Sequence, residues 1–235
     1  MHRLLAFLLI LLIASPASAG KKESYTDYLQ CLDNVVDSLE TYRAMKRDKI
    51  SRMKALGESI TSEPDRYLHN AELYDECFTF DSELAMKVVK ENLEISERRQ
   101  NKDNICEWKI KESFLLASTG QFLEAVNALD GVRVSGLNHR LQLDYFGQMQ
   151  YLYSHMNQYS WSTDLKDYYL HMNPVYTDSI YAIIDSSDSD YTWFKAWQDL
   201  SHGQADKSIE KLKAQVDTLS LDCRQDAMLA YILAL

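Results

Sequence analysis

Histidine side chains are the first candidates for chemistry, because they bind metals and transfer protons. Apart from His2, the chain has five histidines: His69, His139, His155, His171 and His202. No two of them are three or four residues apart, so one helix cannot present two of them as metal ligands on the same face. We therefore expect exposed or locally hydrogen-bonded histidines and no metal site.

Two groups of acidic residues could also do chemistry. The segment 185–190, Asp-Ser-Ser-Asp-Ser-Asp, resembles the start of a calcium loop, but it lacks the required glycine and the closing glutamate. It is more typical of a solvated linker, with cation binding as the alternative. The carboxylates of Glu72, Asp75 and Glu76 could serve a hydrolase if they met in a cleft, but a solvent-exposed helix face explains them adequately.

Sequence signatures of enzymes are absent from the chain. It has no G-x-S-x-G, no H-E-x-x-H, no Walker loop and no dinucleotide-binding glycine pattern. The segment 131–136, Gly-Val-Arg-Val-Ser-Gly, has the composition of a connector bounded by glycines. The sequence thus predicts a protein that is not an enzyme, with no catalytic, cofactor-binding or metal-binding residues and no cofactor.

Four cysteines, Cys31, Cys77, Cys106 and Cys223, contain no C-x-x-C pair, which excludes a zinc knuckle and a thioredoxin-type redox motif. Each lies among apolar residues at helical spacing. We expect buried free thiols. A disulfide between Cys77 and Cys106 on neighbouring helices is the alternative.

Aromatic residues are frequent, with 15 Tyr and 4 Trp, and many of them lie between residues 151 and 197. Most are spaced to pack between helices. Some could instead line a groove for a sugar or a peptide, because Tyr and Trp dominate binding hot spots.

All these residues must be positioned by helices. The chain has only 7 Gly and 3 Pro in 235 residues, too few for the many tight turns of a β-sandwich or barrel. One long amphipathic helix is expected within residues 20–60, ending at Gly57. Helical pairs follow, with turns near residues 80, 120, 158 and 203, and such a repeat indicates an α-solenoid. The pairs are expected at 67–80 with 81–95, 105–118 with 122–130, 138–156 with 162–172, and 191–201 with 205–219.

The segment Leu115–Leu129 resembles the centre of a tetratricopeptide repeat (TPR). In that motif a glycine closes the first helix, an aromatic begins the second, and a small residue lets the helices approach. Gly120, Phe122 and Ala125 match these roles. Near Gly203 the match is degenerate, with Ala205 and Ser208, and the first pair keeps only Phe80 and Ala85 near the expected places. The resemblance implies an all-α fold, a right-handed α-solenoid of antiparallel helix pairs over residues 61–235.

A second resemblance covers more of the chain. Residues 32–37, Tyr42, the Lys-rich stretch 46–56, residues 80–82 and the closing stretch 224–235 look like the sensor half of an exported regulator family from Bacteroidetes-type bacteria. This resemblance implies TPR repeats outside the inner membrane. A spanning helix, a coiled coil and a cytoplasmic output segment, often described as a transcriptional regulator, would follow them.

Both ends of the chain carry apolar segments. Residues 1–19 read as a secretory signal peptide with Arg3, the apolar run 4–14 and a small-residue site before Gly20, and an uncleaved anchor is the alternative. Residues 227–235 are nine consecutive apolar residues, expected to form the first helix of a pair whose partner is missing. We therefore expect a chain truncated within its last repeat, or a helix that another subunit covers.

Composition and charge limit the classes of function that the chain can have. The 46% apolar content supports a packed core, and the net charge of −10 disfavours nucleic-acid binding. The sequence predicts an exported, periplasmic or inner-membrane-anchored, non-catalytic interaction or sensor module, with a protein or peptide partner in a concave helical groove. Membrane contact would come only through a missing downstream span or an uncleaved signal. The alternatives are a structural envelope component that docks through its C-terminal helix and, less favoured, a hydrolase.

Overall fold

The computed structural model describes residues 25–188 and 190–216, and this part of the chain consists of α-helices, one 3-10 turn and connectors, without a β-strand. The predicted signal peptide, Cys223 and the apolar segment 227–235 lie outside the described residues, as does the side chain of Cys31. The helices are α1 (Tyr25–Ser59), α2 (Glu63–Cys77), α3 (Ser82–Arg98), α4 (Lys102–Ser118), α5 (Phe122–Ala128), α6 (His139–Tyr159), α7 (Thr163–Ile183), α8 (Tyr191–Ser201) and α9 (Ala205–Val216), with the 3-10 turn at Val134–Gly136.

The chain divides into two compact units. The repeat unit is Arg43–Ile183, and the terminal unit comprises Met1–Tyr42 and Ile184–Leu235. In the terminal unit, α8 packs on α9, and an ion pair joins Lys211 to Asp199 across this hairpin. Of the helices that the structure describes, none offers an apolar stretch of the length that a bilayer crossing needs.

In the repeat unit the helices pack in chain order. Helix α2 packs on α3, α3 on α4, α4 on both α5 and α6, and α6 on α7. The predicted all-α fold of successive helix pairs is confirmed.

The turns inside two of the pairs depend on a glycine, as the TPR resemblance implied. Gly120 ends α4 with φ +83°, and Gly203 follows α8 with φ +71°. These left-handed residues let the next amide reach back five residues, from Gln121 N to Leu116 O at 3.0 Å and from Gln204 N to Asp199 O at 2.8 Å. Such a closure satisfies carbonyl groups that the helix end leaves without partners.

A small residue lies at the same place in three of the second helices, α3, α5 and α9. Ala85 and Ala125 are fully buried and Ser208 is almost so, and each amide bonds the carbonyl four residues earlier, at Asp81, Gln121 and Gln204. In this register Phe80 matches Gly120 and not the aromatic Phe122, which corrects the expected place of Phe80. The small side chain lets two helices approach closely.

Gly57 has a different role from the predicted one. It does not end α1, which continues to Ser59. A Cβ atom at Gly57 would lie 2.9 Å from His69 Nε2, which donates a hydrogen bond to the Met53 carbonyl at 2.8 Å. The missing side chain therefore makes room for the buried ring of His69 between α1 and α2.

Helix α7 is longer than the sequence suggested. A break after Met172 was expected, but the helix runs through Pro174 to Ile183. Proline removes one backbone hydrogen bond inside a helix. Packing outweighs that loss, because Tyr176 stacks on Tyr153 at 5.5 Å and Ile180 is fully buried.

Two apolar clusters form the core of the repeat unit. The first surrounds Trp108 and includes Leu73, Val89 and Leu115, and the second includes Ala125, Met149 and Leu152. The first also holds polar groups. Asn92, fully buried, accepts a hydrogen bond from Asn70 Nδ2 at 3.0 Å and donates one to the Tyr67 carbonyl at 2.9 Å, so its amide does not lack partners.

Cys77 and Cys106 are buried free thiols, as the apolar surroundings predicted. Burial, the main cause, raises the pKa of the Cys77 thiol to about 12 and that of Cys106 to about 11. The alternative disulfide is not formed. Cys77 ends α2, whereas Cys106 lies in the first half of α4.

Candidate functional site

The first helices of the pairs, α2, α4 and α6, contact one another directly. Rings of α2 meet Trp108 of α4, and Gln148 Nε2 of α6 donates a hydrogen bond to Ser113 Oγ of α4 at 3.0 Å. We call the surface of these three helices the first-helix face. Solenoid repeat proteins in general bind partners on extended surfaces formed by stacked repeats.

An aromatic row runs across the first-helix face, near the ends of the three helices. It consists of Phe78, Phe114, Tyr151, His155 and Tyr159. Ring centroids lie 6.0 Å apart for Phe78–Phe114, 5.9 Å for Phe114–Tyr151 and 4.0 Å for Tyr151–His155.

The aromatic row is only partly covered. Its first four members are half-buried, and Tyr159 is 61% exposed. Phe122 supports the row from α5, with centroids 6.5 Å from His155 and 6.0 Å from Tyr159. His155 is oriented by a hydrogen bond from Nδ1 to the Tyr151 carbonyl at 2.8 Å. A supported row of half-buried rings can bury its remaining exposed area against a ligand.

A charged group lies on the same face beside Trp108. The Lys111 ammonium lies 4.1 Å from the centroid of the Trp108 ring and 5.0 Å from that of Tyr74, and it pairs with Glu107 at 2.7 Å. Asp75 faces this group. Its carboxyl pKa is raised, chiefly by partial burial, while the charge of Lys111 opposes the rise. The face thus combines apolar rings with charges of both signs.

The three carboxylates considered for a hydrolase are not gathered in one cleft. Glu76 points to α1, where it accepts from Lys46 at 2.5 Å and from Lys49 at 2.6 Å. Hydrogen bonds from these two lysines hold its carboxyl pKa below the usual value. Asp75 interacts with Lys111 on α4, and Glu72 is exposed. The structure therefore separates them.

The other candidate residues have mainly structural positions. His69 is buried against α1, whereas His139 on α6, His171 on α7 and His202 in the turn after α8 are exposed. In the acidic segment, Asp185 Oδ1 accepts from the Ser187 amide at 2.7 Å, and Asp188 Oδ2 accepts from the Asp185 amide at 2.8 Å. These bonds are typical of a turn that caps itself.

The aromatic residues between 151 and 197 lie in several places, and core packing, the favoured prediction, holds for Tyr153 and its neighbours. Tyr153 packs in the core with Tyr168, Tyr169 and Tyr176, and burial raises its pKa. Tyr151 and Tyr159 belong to the aromatic row. In the terminal unit, Trp193 and Trp197 stack in parallel at 6.3 Å.

Sequence reasoning missed Phe78, Phe114 and Lys111. Phe78 directly follows α2, whereas Phe114 lies four residues before the end of α4, so the repeat register does not place them at matching positions. Lys111 follows Glu107 by four residues, which indicates a helix-face ion pair but not its contact with two rings.

A comparison with protein-family models agrees with the helical repeat architecture. A family model described as the SusR N-terminal TPR domain matches residues 36–235, and the expected resemblance is confirmed. No curated protein and no solved structure matches the chain. Since the family model covers most of the sequence, the chain belongs to the SusR N-terminal TPR domain family.

Proposed function

We propose that the repeat unit binds an extended segment of a partner protein across the first-helix face. The aromatic row carries this proposal, because its half-buried rings contact one another in sequence from the end of α2 to α6. TPR families are interaction modules. Apolar side chains of the partner would pack on the row, and its charged groups would lie near Asp75 and Lys111.

The module acts by binding and performs no chemistry. Supporting this view, the carboxylates Glu72, Asp75 and Glu76 are separated, and Glu76 is held by two lysines. TPR-type families are in general not enzymes.

The binding is proposed to serve regulation from outside the inner membrane. One support is the signal-peptide pattern of residues 1–19. The other is membership of the SusR N-terminal TPR domain family, because the resemblance to exported regulators implies a membrane-anchored transcriptional regulator. In that arrangement the chain is the periplasmic sensing part. Fractionation of cells that express a C-terminally tagged chain tests this location, and recovery of a chain that begins at Gly20 in the envelope fraction is the expected result. Recovery in the cytoplasm with residues 1–19 intact contradicts it.

Site-specific photo-crosslinking tests the binding surface. Benzoylphenylalanine replaces Tyr151 in the aromatic row in one variant and Leu170 in a control, since Leu170 is 60% exposed but lies on α7, outside the first-helix face. In envelope preparations we expect a discrete crosslinked product with the Tyr151 probe only. Circular dichroism of both variants verifies that the helices are intact.

The crosslinked peptides are then sequenced by mass spectrometry. A single partner segment with apolar side chains supports the proposal. Equal labelling by both probes, or labelling by the Leu170 probe alone, contradicts it.

A further inference from the structure

A cavity of about 420 Å³ opens between the first half of α4 and the connector that follows α5. Cavities of this size hold small ligands. The cavity lies within the repeat unit and is separate from the aromatic row, because the row follows the later parts of α4 and α6.

The cavity exists because α5 is short. Helix α4 has 17 residues and α5 has 7, so at 1.5 Å per residue they are about 25 Å and about 10 Å long. The connector 129–138 covers the part of α4 that a longer second helix would cover. An irregular segment packs less fully than a helix, and space remains between Ile105, Val132 and Leu137.

The connector is tied to α4 at both ends. Lys109 Nζ donates a hydrogen bond to the Asp130 carbonyl at 2.8 Å, and Asn138 Nδ2 donates one to Asp103 Oδ2 at 3.0 Å. These bonds fix the two sides of the cavity relative to each other. A preformed cavity binds its ligand with a smaller loss of conformational entropy than a flexible one.

Positive charge dominates the walls. Lys102, Lys109 and Arg133 line the cavity, and its lining contains no carboxylate. Among the described residues, none of these three cations forms an ion pair. This is unusual in a chain with net charge −10. The remaining walls are mainly apolar, with Ile105, Val132 and Leu137.

The geometry points to a binding site for a small organic anion in this cavity. A carboxylate or phosphate group of the ligand pairs with Arg133 and Lys102, and an apolar or ring-shaped body contacts Ile105, Val132 and Leu137. Guanidinium and ammonium groups form strong charge-assisted hydrogen bonds with both anionic groups. The site is a small-molecule site in addition to the proposed protein-binding face.

Four probes test the chemistry of the ligand by NMR titration at low ionic strength: benzoate, phenyl phosphate, inorganic phosphate and benzyl alcohol. Benzoate and phenyl phosphate combine charge with a ring, and the other two lack one of these features. We expect at least one of the two ring anions to shift the methyl signals of Val132 and Leu137. Binding of benzoate alone identifies a carboxylate ligand, and binding of phenyl phosphate alone identifies a phosphate ester.

A pair of double variants tests the site. Lys102→Gln with Arg133→Gln removes two cavity cations, and Lys87→Gln with Lys90→Gln removes two exposed cations of α3, with the same change in net charge. We expect the affinity for the ring anion to fall about tenfold or more in the cavity variant and less than about twofold in the control.

Three results would overturn the assignment. These are shifts confined to residues outside the cavity, an equal loss of affinity in both double variants, and binding of neither ring anion to the unaltered chain. Equal affinity for inorganic phosphate and phenyl phosphate would overturn the apolar part of the site. Thermal unfolding of each variant verifies that it is folded.

Discussion

The first hairpin, α2 with α3, and the second, α4 with α5, bury an alanine at the same place but close their turns differently. Gly120 closes the second turn with a positive φ, whereas Phe80 holds the matching place without one. Accordingly, the Asp81 amide reaches back four residues to Cys77 O, and the Gln121 amide reaches back five to Leu116 O. Two different turns therefore bring an alanine to the same helix contact.

The two hairpins differ more beyond the alanine. Seven residues after Ala85 lies Asn92, fully buried in α3 and bonded to α2. Seven residues after Ala125 lies Val132, which is in the connector and lines the cavity. The second hairpin, which matches the TPR motif better, thus has the shorter second helix. It has a cavity at the place where the first hairpin has a packed core.

The largest effect is expected at Trp108, through which the first hairpin packs on α4. Trp108→Ala removes a fully buried ring that contacts Tyr67 and Tyr74, and it also removes the hydrogen bond from Nε1 to the Tyr67 hydroxyl at 2.9 Å. The free energy of unfolding should fall by about 3–5 kcal/mol. Denaturant titration followed by circular dichroism measures it.

The matched variant for Trp108 lies in α6. Tyr145, like Trp108, lies seven residues after the N-cap asparagine of its helix, but it is only half-buried. Tyr145→Ala should lower the free energy of unfolding by less than half as much as Trp108→Ala does. Trp161→Ala, at a fully exposed ring, should change stability by about 0.5 kcal/mol or less. Equal losses at Trp108 and Trp161 would show that the first hairpin does not pack as described.

A smaller effect on stability distinguishes the turn of the first hairpin from that of the second. Gly120→Ala forces a side chain into the left-handed region and should cost about 1–2 kcal/mol. Phe80→Ala, at the matching place in the first hairpin, should cost about 0.5 kcal/mol or less, because Phe80 is 40% exposed. Thermal unfolding of the two variants checks the order, and the reverse order contradicts the assigned turn geometry.

The smallest effect concerns the ion pairs that join the first hairpin to α1. The pKa of Glu76 is lowered by hydrogen bonds from Lys46 and Lys49, so the stability it adds is present above its usual value of 4.5. This stability is lost as the pH falls through the lowered pKa. Glu76→Gln should cost below about 1 kcal/mol at pH 7, because such pairs are near the surface.

The pH dependence of the unfolding free energy distinguishes the ion-paired Glu76 from the exposed Glu72. Unfolding free energies are measured at about pH 7 and about pH 3, and the difference between Glu76→Gln and the unaltered chain should shrink at the lower pH. Glu72→Gln, on the exposed side of the same helix, is the control. A loss for Glu76→Gln that is as large at pH 3 as at pH 7 would exclude the ion pairs as its cause.

Much of the fold could be predicted from local patterns. The N-cap Asp81, the turn at Gly120 and the bounds of α8 follow from residue types within one or two helical turns, and the structure agrees with each. The role of Gly57 could not be predicted, because it depends on His69 of another helix. Pro174 misled the prediction for the same reason, since the packing of Tyr176 and Ile180 keeps the helix continuous.

The candidate sites were harder to predict than the helices. The aromatic row joins residues from three parts of the chain, so its members are distant in sequence. Of its members, only Tyr151 and Tyr159 belong to the Tyr and Trp residues between 151 and 197 that the sequence offers for a groove. The segment 131–136 was interpreted as a connector alone. Its contribution to a cavity depends on α5 ending at Ala128, two residues earlier than the apolar pattern suggested.

The most direct measurement is the affinity of the partner that crosslinks at Tyr151 for two alanine variants of the repeat unit. Tyr151→Ala should weaken binding about tenfold or more, because it removes a central ring of the aromatic row. Leu170→Ala, at an exposed residue of α7 outside the first-helix face, should leave the affinity within about twofold. Equal affinities for both variants and the unaltered chain would contradict binding across the first-helix face.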